Sequence, residues 1–342
     1  MKILITGGLG FIGSHTAVEL SNAGHDCFII DSLKNSDRDV INRINALSEI
    51  PVQFKVVDLL DEKDIREVFT QFKFDAVVHF AGLKAVGESV VKPLQYYEYN
   101  LVATLNLLKE MERANVKRIV FSSSATVYGN LTVPPINEAA PISILNPYGR
   151  SKLMMEEILK DLVHADPKWN IVLLRYFNPI GAHSSSLLGE QLNAPPNNLM
   201  PYVLQVANGH KDYLQVFGGD YPTPDGTGVR DYIHVMDLAY GHVKALEYLK
   251  KNRGIETFNL GYGIGHSVLD LIKTFEAVNK VHIPYEIVER RPGDIATSYA
   301  DISKATKMLS WRPRYDLNQM CVDAWNWMKR QNTGNPRKQV KQ

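Results

Sequence analysis

Only two cysteines, Cys27 and Cys321, occur among 342 residues, too few and too widely separated for a disulfide framework. Cys27 lies in an apolar run and reads as a buried thiol, which fits a reducing compartment. No apolar run approaches the roughly 18 residues that a membrane helix needs. No basic leader with a cleavage site precedes the first strand, so the expected location is the cytoplasm, away from any membrane. Neither sign of charge is in excess, since 38 Lys and Arg face 37 Asp and Glu. General attraction to nucleic acid is thereby excluded, and an anionic ligand must be met by a local site. No HExxH and no paired Cys/His spacing occurs, so metal catalysis has no support and no metal is expected. Internal repeats are absent as well.

What is present is alternation. Apolar runs at Lys2–Thr6, His25–Asp31, Val52–Val57, Ala76–Phe80, Arg118–Ser122 and Ile171–Arg175 read as strands. Helical segments separate them: Phe11–Ala23, a polar stretch to about Ser48, Asp61–Gln71, a long one across Gln95–Ala114, and Tyr148–Val163. Leu101, Leu105 and Leu108 fall at the spacing of one helix face. Strand–helix alternation predicts a parallel sheet covered on both sides, the doubly wound (Rossmann-type) α/β fold. After about Asn178 the rhythm changes. Residues 179–230 are rich in Pro, Asn, Gly and Ser, and their apolar pieces, Leu199–Val206 and Leu214–Phe217, favour an ordered substrate-facing region. Asp231–Tyr248 and Thr257–Leu260 look like helix and strand returning to the sheet. The expected division is therefore a dinucleotide domain of residues 1–178 plus about 231–262. A smaller C-terminal α/β substrate domain takes about 179–230 plus 263–330, and 331–342 form a frayed tail.

The first strand runs into Gly7-Gly8-Leu9-Gly10-Phe11-Ile12-Gly13, which opens a helix. Gly7, Gly10 and Gly13 are spaced for a tight turn, close backbone approach to a pyrophosphate and packing of the helix on the sheet. The phosphates would sit on free N–H groups at the helix N-terminus, where the dipole favours negative charge. Asp31, ending the second strand, can bond both ribose hydroxyls and repel a 2′-phosphate, so NAD is favoured over NADP. Asp58, ending the third strand, is either an adenine contact or a turn-forming carboxylate.

Tyr148-Gly149-Arg150-Ser151-Lys152 places a phenol and an ammonium one helical turn apart on one face. A base near neutral pH must be made from a phenol of pKa ~10, which takes roughly 4 kcal/mol of preference for the phenolate. One positive charge at about 4 Å in an effective dielectric near 20 supplies about that much. Lys152 is expected to supply it, together with an oxidised nicotinamide. Ser124, just past the fifth strand, can bond the substrate oxygen that Tyr148 deprotonates. Ser122 and Ser123 read as turn chemistry.

With these motifs in place, the chain resembles the extended short-chain dehydrogenase/reductase superfamily, and within it the UDP-glucose (UDP-galactose) 4-epimerase branch. The likeness runs from Ile5-Thr6-Gly7-Gly8 to roughly Trp327. It is carried by four long stretches beginning at His79, Phe121, Leu174 and Gly226, the last reading Gly226-Thr227-Gly228-Val229-Arg230-Asp231-Tyr232-Ile233-His234-Val235. The resemblance implies NAD held through the cycle by Gly7, Gly10, Phe11, Ile12, Gly13, Asp31, Asn35, Asp58, Leu59, Phe80, Ala81, Lys84, Asn100, Ser124, Tyr148, Lys152 and Phe177. It implies a UDP-sugar site of Ser124, Tyr148, Asn178, Asn198, Leu199, Val216, Phe217, Arg230, Arg291 and Asp294. Arginine suits that site because its planar fork matches phosphate oxygens, though an arginine read alone is more often a solvated surface charge. The implied reaction is reversible inversion at C4 of a UDP-hexose through a transient 4-keto sugar and bound NADH.

Sister branches differ at recognisable places. Nucleotide-sugar 4,6-dehydratases carry Thr-Asp-Glu where this chain has Ser124-Ala125-Thr126, so the acid pair for water elimination is missing. Decarboxylases and uronate epimerases need a cation for a C6 carboxylate, which no single residue here excludes. A catalytically dead dinucleotide-sensing protein would be expected to lose Tyr148 or Lys152, and both are present. Counting from Arg290-Arg291-Pro292-Gly293-Asp294 brings the family's sugar-pocket gate to Ser298. A bulky Tyr there restricts members to plain hexoses, so Ser298 is expected to admit N-acetylhexosamines, unless it is an ordinary loop serine. Family members are usually homodimers, and the Gln95–Ala114 and Tyr148–Val163 helices are the candidate interface.

Overall fold

A computed structural model of the chain describes residues 1–130, 133–191, 198–291 and 293–333. The expected tail falls mostly outside these, as does Pro292. The first half alternates as its apolar periodicity predicts: β1 (Lys2–Thr6), α1 (Phe11–Asn22), β2 (Asp26–Asp31), α2 (Val40–Asn45), β3 (Gln53–Val56), α3 (Glu62–Gln71) and β4 (Ala76–His79). Then come α4 (Val86–Val91), α5 (Pro93–Tyr97), a π turn (Glu98–Val102), α6 (Ala103–Arg113), β5 (Arg118–Ser124), a 3₁₀ turn (Ala125–Tyr128), α7 (Pro147–Ala165) and β6 (Asn170–Tyr176). The second half adds β7 (Asn178–Ile180), α8 (Leu199–Ala207), β8 (Leu214–Phe217), β9 (Val229–His234), α9 (Val235–Lys251), β10 (Gly254–Leu260) and β11 (Gly265–Ser267). It ends with α10 (Val268–Asn279), β12 (Tyr285–Val288), β13 (Thr297–Ser298), α11 (Ser303–Leu309) and α12 (Leu317–Thr333).

Seven strands form one sheet in the order β10-β6-β5-β4-β1-β2-β3, and every neighbouring pair is parallel. Because side chains alternate along a strand, each strand feeds two cores. Ile3 and Ile5 of β1 pack with Val18 and Leu20 of α1 and Leu246 of α9, while Leu4 packs on the other side with Val68 of α3, Leu107 of α6 and Leu159 of α7. The order reverses between β1 and β4. That reversal leaves a crevice beyond the carboxyl ends of these strands, where doubly wound proteins bind ligands. A separate apolar cluster, built on Val203, Leu214, Phe275, Met320 and Cys321, stands behind the smaller sheets β11-β9-β13 (with β7 on β9) and β12-β8.

Several sequence expectations are corrected. Asp231–His234 is not the start of a helix: it completes β9, whose partners are β7, β11 and β13, and α9 begins only at Val235. The long helix across Gln95–Ala114 is broken by the π turn, whose extra residue shifts the face that follows. Leu105 consequently ends up exposed, and Ala103, Leu107, Leu108 and Met111 make the buried stripe of α6. Ser122 and Ser123 belong to β5 rather than to a turn. No helix among the described residues is long and apolar enough to cross a membrane.

A buried ion pair fixes α7 on the sheet. Arg175 of β6 donates from Nε and Nη2 to the two carboxylate oxygens of Glu156, at 2.9 and 2.6 Å, and Ser123 donates to the same carboxylate at 2.5 Å. Burial works against the Arg175 charge, but the bonds and charge of Glu156 outweigh it and raise the guanidinium pKa. Such a pair is costly to break, because one charge is then left buried alone. Glu156→Ala is expected to lower the unfolding free energy by about 3–5 kcal/mol in denaturant titrations. The double replacement Glu156→Leu with Arg175→Met is expected to lose far less, and equal losses would contradict this account.

Candidate active site

The crevice at the strand-order reversal opens into a cavity of about 480 Å³. Its first wall is the glycine loop. A Cβ on Gly13 would stand 2.5 Å from Gly7 O and 2.8 Å from Gly8 Cα, and one on Gly7 would stand 2.7 Å from Ala81 N. These are backbone contacts that only glycine allows, and Gly7 also has φ +66°. They bring the N-terminus of α1 against the end of β4. Gly10 caps α1 without a side-chain hydrogen bond, so N–H groups of the first turn face the cavity beside Gly7, Gly10, Phe11, Ile12 and Gly13.

The strand ends supply the second wall. Asp31 accepts from Leu9 N–H (3.1 Å), Leu33 N–H (3.0 Å) and Ser36 Oγ (2.8 Å). A carboxylate offers about four acceptor sites, so capacity remains. Asn35, Leu59, Phe80 and Ala81 line the same space. Asp58 lines it too, with its carboxylate on Lys34 Nζ at 2.8 Å and Leu60 N–H at 3.0 Å. Lys34 also bonds the Tyr99 hydroxyl. Both roles considered for Asp58 are therefore compatible with its position.

The third wall is the start of α7. Asn146 caps the helix by accepting from Gly149 N–H at 2.8 Å, and Pro147 opens its first turn. That puts Tyr148 at the cavity with Lys152 one turn further on. Ser124 ends β5 beside them. Its Oγ accepts from Thr126 Oγ1 at 2.8 Å and from Thr126 N–H at 3.2 Å, so its own proton is free to be donated outward.

Here the electrostatics depart from the sequence expectation. Burial raises the Tyr148 pKa above that of a free phenol, and the opposing influences are the Ser124 hydroxyl and the charge of Lys84. Lys152 instead donates its Nζ to Ser122 C=O at 2.7 Å and lies over the Phe121 ring. Burial pushes Lys152 down to about 8, with Glu156 opposing. In the protein alone, the Lys84 charge is a lowering influence on the Tyr148 phenol. Burial opposes the Lys84 charge, but Glu190 at 2.8 Å and Tyr148 outweigh it and raise its pKa. Lys84 lines the cavity with its side chain 58% accessible.

Asn100, at the π turn, does not line the cavity. It is spent on holding the loop after β4, accepting from Leu83 N–H at 2.7 Å and donating to Leu83 C=O and Ser151 Oγ at 3.1 and 2.9 Å. Phe177 is buried with Val127, Tyr128, Ile136 and Ala300, off the cavity wall. Glu190 and Trp327 line the cavity as well. Each is a lone residue far from any motif, which gave no signal in the sequence.

The residues expected for a nucleotide-sugar split into two groups. Asn198, which precedes α8, reaches the cavity, and Leu199 packs on the core behind it. Arg230, Asp294, Arg291, Phe217 and Ser298 gather at the smaller sheets. Arg230 bonds Asp294 at 2.9 Å, Arg291 stacks 3.7 Å from the Phe217 ring centroid, and Ser298 pairs with Arg230 in the β13–β9 register. Asn178 starts β7 on the same β9 strand. Val216 is buried in the core, which leaves its backbone as the part able to meet a ligand.

Residues 4–324 match the family model described as GDP-mannose 4,6 dehydratase. The chain is 54% identical over 327 residues to the UDP-glucose 4-epimerase of Bacillus subtilis, covering 96% of each. Its fold is similar to a UDP-glucose 4-epimerase structure from Stenotrophomonas maltophila with bound NAD and formylated UDP-arabinopyranose. The TM-score is 0.96 at 49% identity, with 98% of this chain and 100% of that chain covered. A second similar structure is the Bifidobacterium longum enzyme in complex with NAD+ and UDP, with TM-score 0.94 at 50% identity, covering 98% and 100%. The chain thus belongs to the UDP-glucose 4-epimerase family of the extended short-chain dehydrogenase/reductases.

Proposed function

We propose that the chain is an NAD-dependent UDP-glucose 4-epimerase that reversibly inverts C4 of a UDP-hexose. The observation that carries this is that Tyr148 and Lys152 line the same cavity as the glycine loop, with Ser124 hydrogen-bonded to Tyr148. The loop fits a dinucleotide, because Gly7 and Gly13 allow the close backbone packing that sets the α1 N-terminus at the cavity, and Asp31 keeps acceptor capacity. When bound, NAD supplies the hydride acceptor and donor at C4.

The protein's own residues handle the proton and the grip. Tyr148 as phenolate takes the C4 hydroxyl proton, and Ser124 holds the oxygen that loses it. Lys84 and Ser124 favour the phenolate against burial. Arg230 and Arg291 are suited to the diphosphate and Asp294 to a ribose hydroxyl. Residues 1–178 with about 235–262 carry the cofactor in this scheme, and about 179–234 with 263–330 carry the UDP-sugar. The boundary moves from 231 because β9 lies with the smaller sheets. Two buried free thiols, Cys27 and Cys321, support a cytoplasmic location. A homodimer is supported by apolar side chains left exposed on α4, α5, α6 and α7, notably Leu94 (82%), Val91 (78%), Leu105 and Met154.

Incubation with UDP-galactose without added NAD is expected to yield UDP-glucose, and Tyr148→Phe is expected to abolish it. Release of CO₂ or of a 4-keto-6-deoxy sugar from other nucleotide sugars, with no epimer formed, would contradict the assignment. In the same assay the wild type is expected to interconvert UDP-N-acetylglucosamine and its galacto epimer. Ser298→Tyr should remove that activity and spare UDP-galactose, whereas a joint fall would reject the gate. Because Lys84 lowers the Tyr148 pKa, Lys84→Met is expected to raise it, so the acid limb of the kcat/KM profile should move to higher pH. An unmoved limb would assign the tuning elsewhere. Leu94→Glu is expected to shift the sedimentation coefficient from dimer toward monomer.

A further inference from the structure

The candidate diphosphate arginine and the sugar gate lie on separate segments, and one buried carboxylate joins the segments together. Asp231 follows Arg230 in β9 and is fully buried. Its Oδ1 accepts from Tyr262 N–H at 2.5 Å, and its Oδ2 accepts from Gly263 N–H and Ala300 N–H, each at 3.0 Å. The fit is close enough that Gly261 admits no side chain, since a Cβ there would stand 2.4 Å from Asp231 Oδ2.

The strand partners change at this residue. β13 pairs with Val229 and Arg230, whereas β7 pairs with Tyr232 to His234. Past Ser298 the chain turns toward Ile136, which donates to Tyr299 C=O at 2.9 Å and accepts from Asp301 N–H at 2.8 Å. The Asp231 carboxylate catches the Ala300 N–H at that divergence. On the other edge of β9, β11 sets Gly265 opposite Asp231 and His266 opposite Arg230. The turn leading into β11 is the one held by Tyr262 and Gly263. Both edges of the strand carrying Arg230 are thus anchored to one side chain. Alternation along the strand sends Asp231 to the face opposite Arg230, so the anchor does not compete for a ligand.

A buried carboxylate is retained only if strong donors satisfy it. Three backbone N–H groups from two other segments do so here. We propose that Asp231 is a positioning residue for nucleotide-sugar binding, holding Arg230 in register with Ser298 and with the Tyr262–Gly263 turn. The proposal rests on the assignment of this region to the UDP-sugar. Loss of the anchor releases the strand beside Arg230 and the gate strand together, while the glycine loop and α7 remain on the other sheet.

Asp231→Asn keeps the size and turns one acceptor oxygen into an N–H₂ donor facing N–H donors. Wild-type interconversion of UDP-galactose and UDP-glucose, run alongside, tests the epimerase assignment by itself. For the variant, KM and the calorimetric Kd for UDP-glucose are expected to rise together by about tenfold or more. Its kcat should stay within about threefold, and its bound NAD content should be unchanged. Unaltered KM and Kd overturn the proposal, as does a loss of kcat and NAD in step with KM. Hydrogen exchange on the wild-type protein gives a readout free of any folding defect. The Tyr262, Gly263 and Ala300 amides should exchange as one protected group that slows further with UDP-glucose. Independent exchange of the three, indifferent to UDP-glucose, overturns the proposal.

Discussion

The close passage of α1 over the loop after β1 is the contact on which the site depends. Gly13 lies against Gly7 and Gly8, and Gly7 against Ala81, with no room for a Cβ at either place. These contacts join the two halves of the large sheet where the strand order reverses. They aim the helix N-terminus at the cavity and set the distance from it to α7. Asn100 extends the same logic on the far side, tying the loop after β4 to Ser151 in the first turns of α7. The glycine wall and the tyrosine wall are thereby linked through the loop after β4.

Between these walls the acid–base group is set by competition. Burial holds Tyr148 in its neutral form, while Lys84 and the Ser124 proton favour the phenolate. Lys152 donates one of its three N–H bonds to the Ser122 carbonyl near the end of β5. Glu156, one turn beyond Lys152, pairs with Arg175 and anchors the helix that carries both residues.

Much of this was legible in the sequence, and the failures have physical causes. The strands, the glycine loop, Asp31 and the Tyr148–Lys152 spacing are local patterns, and local patterns survive in a linear reading. The π turn does not, because one extra residue leaves the composition unchanged while rotating Leu105 out to the surface. β9 reads as helix in the sequence because Asp231–Tyr248 continues into a true helix, and only its partners on both edges define the strand. The resemblance places Lys84 at the cofactor, yet its electrostatic influence on Tyr148 acts across sixty-odd positions that periodicity cannot see. Asp231 sat inside a quoted motif without a role, since its three partners lie far along the chain.

The late arrival of β10 has a consequence for how the chain is made. β6 is buried along its whole length and needs β10 on its outer edge, but β10 is synthesised only after β7, α8, β8, β9 and α9 have emerged. On the ribosome, the nearly complete sheet must wait with an open apolar edge while the smaller sheets begin to form. Translation at roughly 5–20 residues per second makes that wait several seconds long. An unpaired edge of this kind is a template for strands of other chains.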